Sequence, residues 1–278
     1  MALRTDGLAQ RLPNDPFFPD QTTWHAAGAY RVHEHSSRPA QIEISLDTCA
    51  ALNLPLAWSI TTGSRSVVVA FLDDGFFYDH VDLAANIWRN PGESGLDDAG
   101  IPKESNGKDD DGNGYVDDVV GWDFAFDDPD PDPYVFDGMD RSRIQPYWHS
   151  SHALGIVGAK GNNGVGIAGI NWDVSMMLLK IGAQGTPRGA IDSLRTGRAA
   201  RAIRYAADNG ARVINWSGFV SDRSSASRDT LRSAIRYAGD HNVLIVVGAG
   251  NDALNLDDDS NAVYPQTLDE PNLLRVAQ

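Results

Sequence analysis

Short apolar runs alternating with helical stretches constrain this chain more than any other feature of its sequence. Ser66-Val67-Val68-Val69-Ala70-Phe71-Leu72 is almost uninterrupted, rich in β-branched residues, and stops at Asp73-Asp74-Gly75. That is the pattern of a strand buried on both faces that ends in a turn. Val174 to Ile181 is a second such run. A helical stretch from Arg198 to Asn209, closed by Gly210 as a C-terminal glycine, leads into a third, Ala211 to Trp216. Another helical stretch, Arg228 to Asp240, leads into Val243 to Val247, and Leu273 to Ala277 starts what reads as a fifth run. Helices alternating with buried strands predict an α/β fold with a largely parallel central sheet.

Residues 1–60 are less regular and read as an arm wrapping the core; residues 61–278 read as one domain. Within it, residues 84–148 form a long insertion rich in Asp and Gly, and insertions of that length are functional or held by something. The net charge of −15 opposes binding to phosphate backbones, which argues against a nucleic-acid partner, and suits carboxylates that hold hard cations. Cys49 is the single cysteine, so an intrachain disulfide or a multi-cysteine zinc site is excluded, and it reads as a buried, inert thiol. No apolar run reaches signal-peptide length at the start or transmembrane length later, so the sequence reads as soluble, without a membrane partner.

Polar groups that do chemistry gather at the carboxyl ends of parallel strands, where Asp73 and Asp74 fall. A turn that simply favours Asp and Gly explains them equally well when taken alone. His149-Ser150-Ser151-His152 opens a stretch of small and apolar residues, Ala153 to Ala159, that reads as a buried helix. A zinc pair on a helix sits four apart beside a glutamate, a pattern absent here. Ile245 to Val247 runs into Gly248-Ala249-Gly250-Asn251. Glycines there permit close backbone approach to a ligand, and the Asn amide is a donor suited to a developing oxyanion, although a tight turn after a strand needs no such role.

In this order, these segments resemble the subtilisin-like serine proteases, the subtilases, from about residue 55 to the end. Val67 to Gly75 resembles the segment that holds the family's catalytic aspartate. Asp82 to Trp88, Gly121 to Phe124 and Gly158 to Gly169 resemble its flanking framework, and Ala202 to Ala206 through Val213 to Ser217 its substrate edge. The resemblance implies a three-layer fold, peptide-bond hydrolysis on extended polypeptides, and secretion. It implies Asp73 as the carboxylate that orients the histidine, His149 as general base and Asn251 as oxyanion donor. Ser217 and Gly218 would pair with substrate backbone, flanked by Gly248 and Gly250.

Three departures stand out. Ser150 occupies the glycine position of the family's His-Gly-Thr-His, which adds a side chain beside the base. Ser217-Gly218-Phe219 replaces Ser-x-Gly at the substrate strand. No Gly-Thr-Ser-Met-Ala-like nucleophile segment follows Asn251, so the nucleophilic serine is expected to be missing, with the C-terminal end of the domain truncated and the chain inactive alone. A non-catalytic peptide-binding relative and an interrupted-gene remnant are the alternatives. Oligomeric state and cleavage specificity are not encoded legibly.

The insertion carries Asp109-Asp110-Asp111-Gly112-Asn113-Gly114, with oxygen ligands at alternate positions and then glycine, the first half of a calcium loop. The closing Glu of such a loop is absent. Related subtilases that carry this stretch bind calcium with later aspartates closing the site, which implies a structural Ca²⁺ on Asp109, Asp111, Asn113 and Asp118. A solvated acidic loop is the simpler reading of the same residues.

Overall fold

In a computed structural model, the described residues are 10–21, 29–32, 42–45, 52–133, 149–182, 192–220 and 222–277. Cys49, much of the 1–60 stretch and residues 134–148 of the insertion lie outside them. An antiparallel pair, β1 (Ala29–Val32) with β2 (Ile42–Ser45), precedes the short helix α1 (Leu54–Ala57). The main sheet and its helices follow in the order β3 (Gly63–Asp73), β4 (Gly121–Asp123), α2 (His149–Gly158), β5 (Asp173–Lys180), α3 (Asp192–Asp208), β6 (Val213–Trp216), α4 (Ser225–Asp240), β7 (Leu244–Gly248) and β8 (Leu273–Val276). The six strands lie in the order β4-β5-β3-β6-β7-β8 and all neighbouring pairs are parallel. This is the α/β architecture with a largely parallel central sheet that the apolar runs lead one to expect.

The alternation of side chains along β3 explains its burial. Ala70 and Leu72 pack with Ala199, Ile203, Leu231 and Ile235 of α3 and α4 on one face. Val69 and Phe71 pack with Leu154 of α2 on the other. Successive residues of a strand point to opposite faces, so a central strand covered on both sides must be apolar throughout. Three layers result.

β4 is a strand that hydrophobic periodicity hides, although the Gly121 to Phe124 segment resembles family framework. Gly121-Trp122-Asp123 lies inside the stretch that reads as an insertion, yet it pairs with Leu178-Leu179-Lys180 as the edge of the main sheet. Gly121 is required there: at φ +133° its backbone passes Leu178 so closely that an added Cβ would lie 1.8 Å from the carbonyl oxygen. At the end of this edge, Lys180 Nζ lies 2.7 Å from Asp123 Oδ2 and 3.8 Å from Asp132 Oδ1, with its side chain 2% exposed. It also sits 4.9 Å from the centroid of the Phe126 ring.

Residues 10–21 are fastened to a loop far away in sequence. The Asp15 carboxylate accepts from the Asn162 and Asn163 backbone N–H groups, and Asn14 Oδ1 accepts from Gly164 N. The Gln21 amide both donates to and accepts from the Ala168 backbone at 2.9 and 2.8 Å. From the opposite side, Asp82 accepts from Ile167 N and Asn163 Nδ2. The loop is thus held between two buried carboxylates, with Phe18 packed on Trp58 and Trp58 on Trp172.

Candidate active site and acidic cluster

Parallel topology gathers the carboxyl ends of β3, β6 and β7 side by side, and the residues singled out in the sequence lie there. Asp73 is the last residue of β3 and is buried. Its Oδ1 accepts from Asp74 N at 2.8 Å. His149, the first residue of α2, sets its Nδ1 2.9 Å from Asp73 Oδ2 and 3.1 Å from Oδ1. With Nδ1–H donating to the carboxylate, the ring lone pair resides on Nε2. The hydrogen bond to Asp73 holds His149 above the ordinary imidazole range, against desolvation, which pulls it down.

This shift has a definite sign in stability. A histidine whose folded pKa is raised contributes stability that is full below the unfolded value, about 6.5, and lost as pH rises through the folded value. The difference in unfolding midpoint between the parent chain and His149→Gln should therefore be larger at pH 6 than at pH 9. A difference that is flat, or that grows with pH, would contradict the charged pair.

Ser150 is fully buried and its Oγ has no hydrogen-bond partner among the described residues, while Ser151 Oγ accepts from Phe77 N. The serine at the family's glycine position therefore points into packed protein. Ser217 and Gly218 follow β6, and Ser217 Oγ accepts from Asn215 Nδ2. Gly248 ends β7, and Gly250, at φ +109°, turns the chain to an exposed Asn251. Gln266, which sequence reasoning missed, ties these two strand ends together. It is buried, and its Nε2 donates to Gly218 O at 2.9 Å and Gly248 O at 3.1 Å. Nothing in the local sequence marks it, since its partners are carbonyls of two other segments.

The acidic insertion folds around its own carboxylates. Asp109 accepts from the backbone N–H groups of Gly112, Asn113 and Gly114, so the loop coils about it. Oxygens of Glu93, Asp109 and Asp111 lie within 4.8 Å of one another. Glu93 is fully buried; Oε1 accepts from Asp110 N and Asp111 N, and Oε2 has no partner among the described residues. Burial pushes its carboxyl up, and those backbone donors oppose the shift. Asn113 donates to both Asp111 and Asp118. Asp118 is buried beneath, accepting from Asn90, Asn113 and the Tyr205 hydroxyl. Three converging carboxylates with an unsatisfied buried oxygen suit a hard divalent cation. Glu93 is the residue missing from the sequence-derived set, because it enters from outside the loop's alternating pattern.

The subtilase family profile matches residues 64–277. The chain is 31% identical over 75% of its length to an extracellular protease of Xanthomonas campestris pv. campestris, and 28% identical over 75% to subtilisin-like protease 1 of Plasmodium berghei. It spans about a third of the length of each of those relatives. A solved protease structure from Pseudoalteromonas arctica superposes with a TM-score of 0.57 at 28% identity, covering 91% of this chain and 62% of that one. Among the described residues, no helix is long and apolar enough to cross a membrane. The strand order, the stacked helices and the matched span together place this chain in the subtilase family, whose members are serine peptidases.

Proposed function

We propose that this chain carries the acid–base pair and oxyanion donor of a secreted serine endopeptidase acting on extended polypeptides. The observation that supports this most is the 2.9 Å contact between Asp73 Oδ2 and His149 Nδ1 at the end of the central strand. In this reading His149 Nε2 takes the proton of a serine hydroxyl as that oxygen attacks the scissile carbonyl. Asp73 stabilises the imidazolium, and the Asn251 amide donates to the tetrahedral oxygen. The Ser217–Gly218 edge pairs with substrate backbone, and Gln266 ties Gly218 to Gly248. We place the nucleophilic serine outside these 278 residues, so that this chain by itself does not turn substrate over.

The acidic cluster is part of the same proposal. Glu93, Asp109 and Asp111, with Asn113 beside them and Asp118 supporting the loop from below, would hold calcium. Calcium would supply the charge neutralisation that lets these carboxylates converge, and would tie the insertion to the sheet for stability rather than chemistry.

The test is a titration of His149 by NMR in the 278-residue chain, with a fluorogenic peptide assay alongside. Asp73→Asn should lower the His149 pKa by about one unit, since it removes the carboxylate that favours the charged ring. The assay should show no turnover. An unchanged pKa would remove the acid–base assignment, and turnover would remove the placement of the nucleophile.

A further inference from the structure

Asp74 stands next to the pair just described. Its Oδ1 accepts from Arg195 Nη2 at 3.0 Å, and both side chains are partly buried, at 25% and 19% exposure for Arg195 and Asp74. Gly182, just past β5, closes on the same contact: an added Cβ would lie 1.8 Å from Asp74 Oδ1 and 3.4 Å from Arg195 Nη2. Arg195 also borders the proposed substrate edge, with Nη2 3.6 Å from the position of a Cβ on Gly218. The turn after β3, the end of β5, the first turns of α3 and the end of β6 therefore meet at this one ion pair. Burial pushes the Asp74 carboxyl up, and the Arg195 guanidinium works against that shift.

Two adjacent carboxylates beside one imidazole raise a chemical problem. Each favours the protonated ring, and a histidine held protonated near neutrality is a poor general base. Among the described residues, the charged groups that face this corner are Asp73 and Asp74 from β3 and its turn, Lys180 from β5, and Arg195 from α3. Lys180 is engaged by Asp123 and Asp132, and among the described residues Arg195 is the cation in direct contact with Asp74.

We propose that Arg195 is a positioning residue that neutralises Asp74, so that His149 answers to the charge of one carboxylate, Asp73, instead of two. The proposal rests on the reading of Asp73 and His149 as the acid–base pair. It gives α3 a role in the site: Arg195 anchors the start of the helix beside the dyad, and the basicity of the histidine depends on that anchor.

Histidine titration in the full 278-residue chain tests it, with His149→Gln identifying the resonance. Asp74→Asn should lower the His149 pKa by about half a pH unit, because the guanidinium is left without its counter-charge. Arg195→Gln should raise it by a similar amount, and the double variant should return to within about 0.2 of the parent. Arg195→Lys, which keeps the charge, should leave it near the parent value. An Arg195→Gln variant whose His149 pKa is unchanged or lowered overturns the proposal, as does a double variant that fails to return. Should Arg195→Gln not fold, the other two single variants decide: an Asp74→Asn pKa equal to the parent's, or an Arg195→Lys pKa shifted like that expected for the neutral variant, overturns it. Asp73→Asn reports separately on the dyad, so loss of that reading and loss of this one are distinguishable.

Discussion

Asp123→Ala should destabilise the fold by about 3–5 kcal/mol, because it strips the nearest counter-charge from a lysine that has almost no access to water. Lys180 and Asp123 are each 1% exposed, and their charged atoms are 2.7 Å apart at the ends of two paired strands. Burial pushes the Asp123 carboxyl up to about 6, and Lys180 pulls the other way. Asp132 stays at 3.8 Å and Phe126 covers the ammonium, so the loss should fall toward the lower end of that range. Chemical denaturation of the single variant measures it. The double variant Asp123→Leu with Lys180→Met supplies the contrast: replacing both charges by apolar groups of similar size should restore most of the stability. A single variant that costs under about 1 kcal/mol, the range of exposed pairs, would mean that water reaches Lys180.

Calcium should raise the unfolding midpoint by about 5–10 °C over chelated protein at a metal concentration near one hundred times Kd. The figure follows from about 2.7 kcal/mol of binding linkage at that excess and from about 2–4 °C per kcal/mol for a chain of this size. Glu93→Gln should abolish most of that rise, since it removes the buried carboxylate that converges with Asp109 and Asp111. In chelator, the same substitution should leave the midpoint unchanged or slightly higher, because one of three mutually repelling charges has gone. Differential scanning calorimetry with and without chelator reads both. A midpoint indifferent to millimolar calcium would sink the proposed site, and a Glu93→Gln variant that still responds fully would remove Glu93 from it.

What the sequence made legible follows from how each element is stabilised. β5 and the C-terminal half of β3 are buried on both faces, so each is written as a contiguous apolar run, and Asp73 announces itself as the first charge after one of them. β6 and β7 bury alternate residues, and their runs are shorter. β4 is three residues long and owes its place to pairing with β5, which no local pattern records. α4 begins at Ser225 under the Ser224 cap, earlier than the Arg228 start read from periodicity, because its first turn is polar and shows no apolar stripe. The same logic divides the site. His149 and Asn251 at helix and strand ends are weak signals singly and take their candidate roles from the resemblance, while Asp109, Asp111 and Asn113 stand out by their spacing. Glu93, Gln266 and Arg195 do not, since each acts on atoms brought to it by the fold.

The fastening of residues 10–21 to the 161–168 loop has a consequence in time. The partners in the Gln21–Ala168 contact are 147 positions apart, so during synthesis the N-terminal segment exists long before its receptor does. At about 5–20 residues per second, the wait is on the order of ten seconds. Through that interval Phe18 lacks Ala168 and Trp172, with which it is buried in the finished fold, and the segment is a natural client for whatever shields nascent apolar chain. Closing so long a span also slows folding after release, as contacts distant in sequence do. The clasp that holds the finished domain is thus a late event in its making, and the vectorial growth of the chain sets the earliest moment at which it can form.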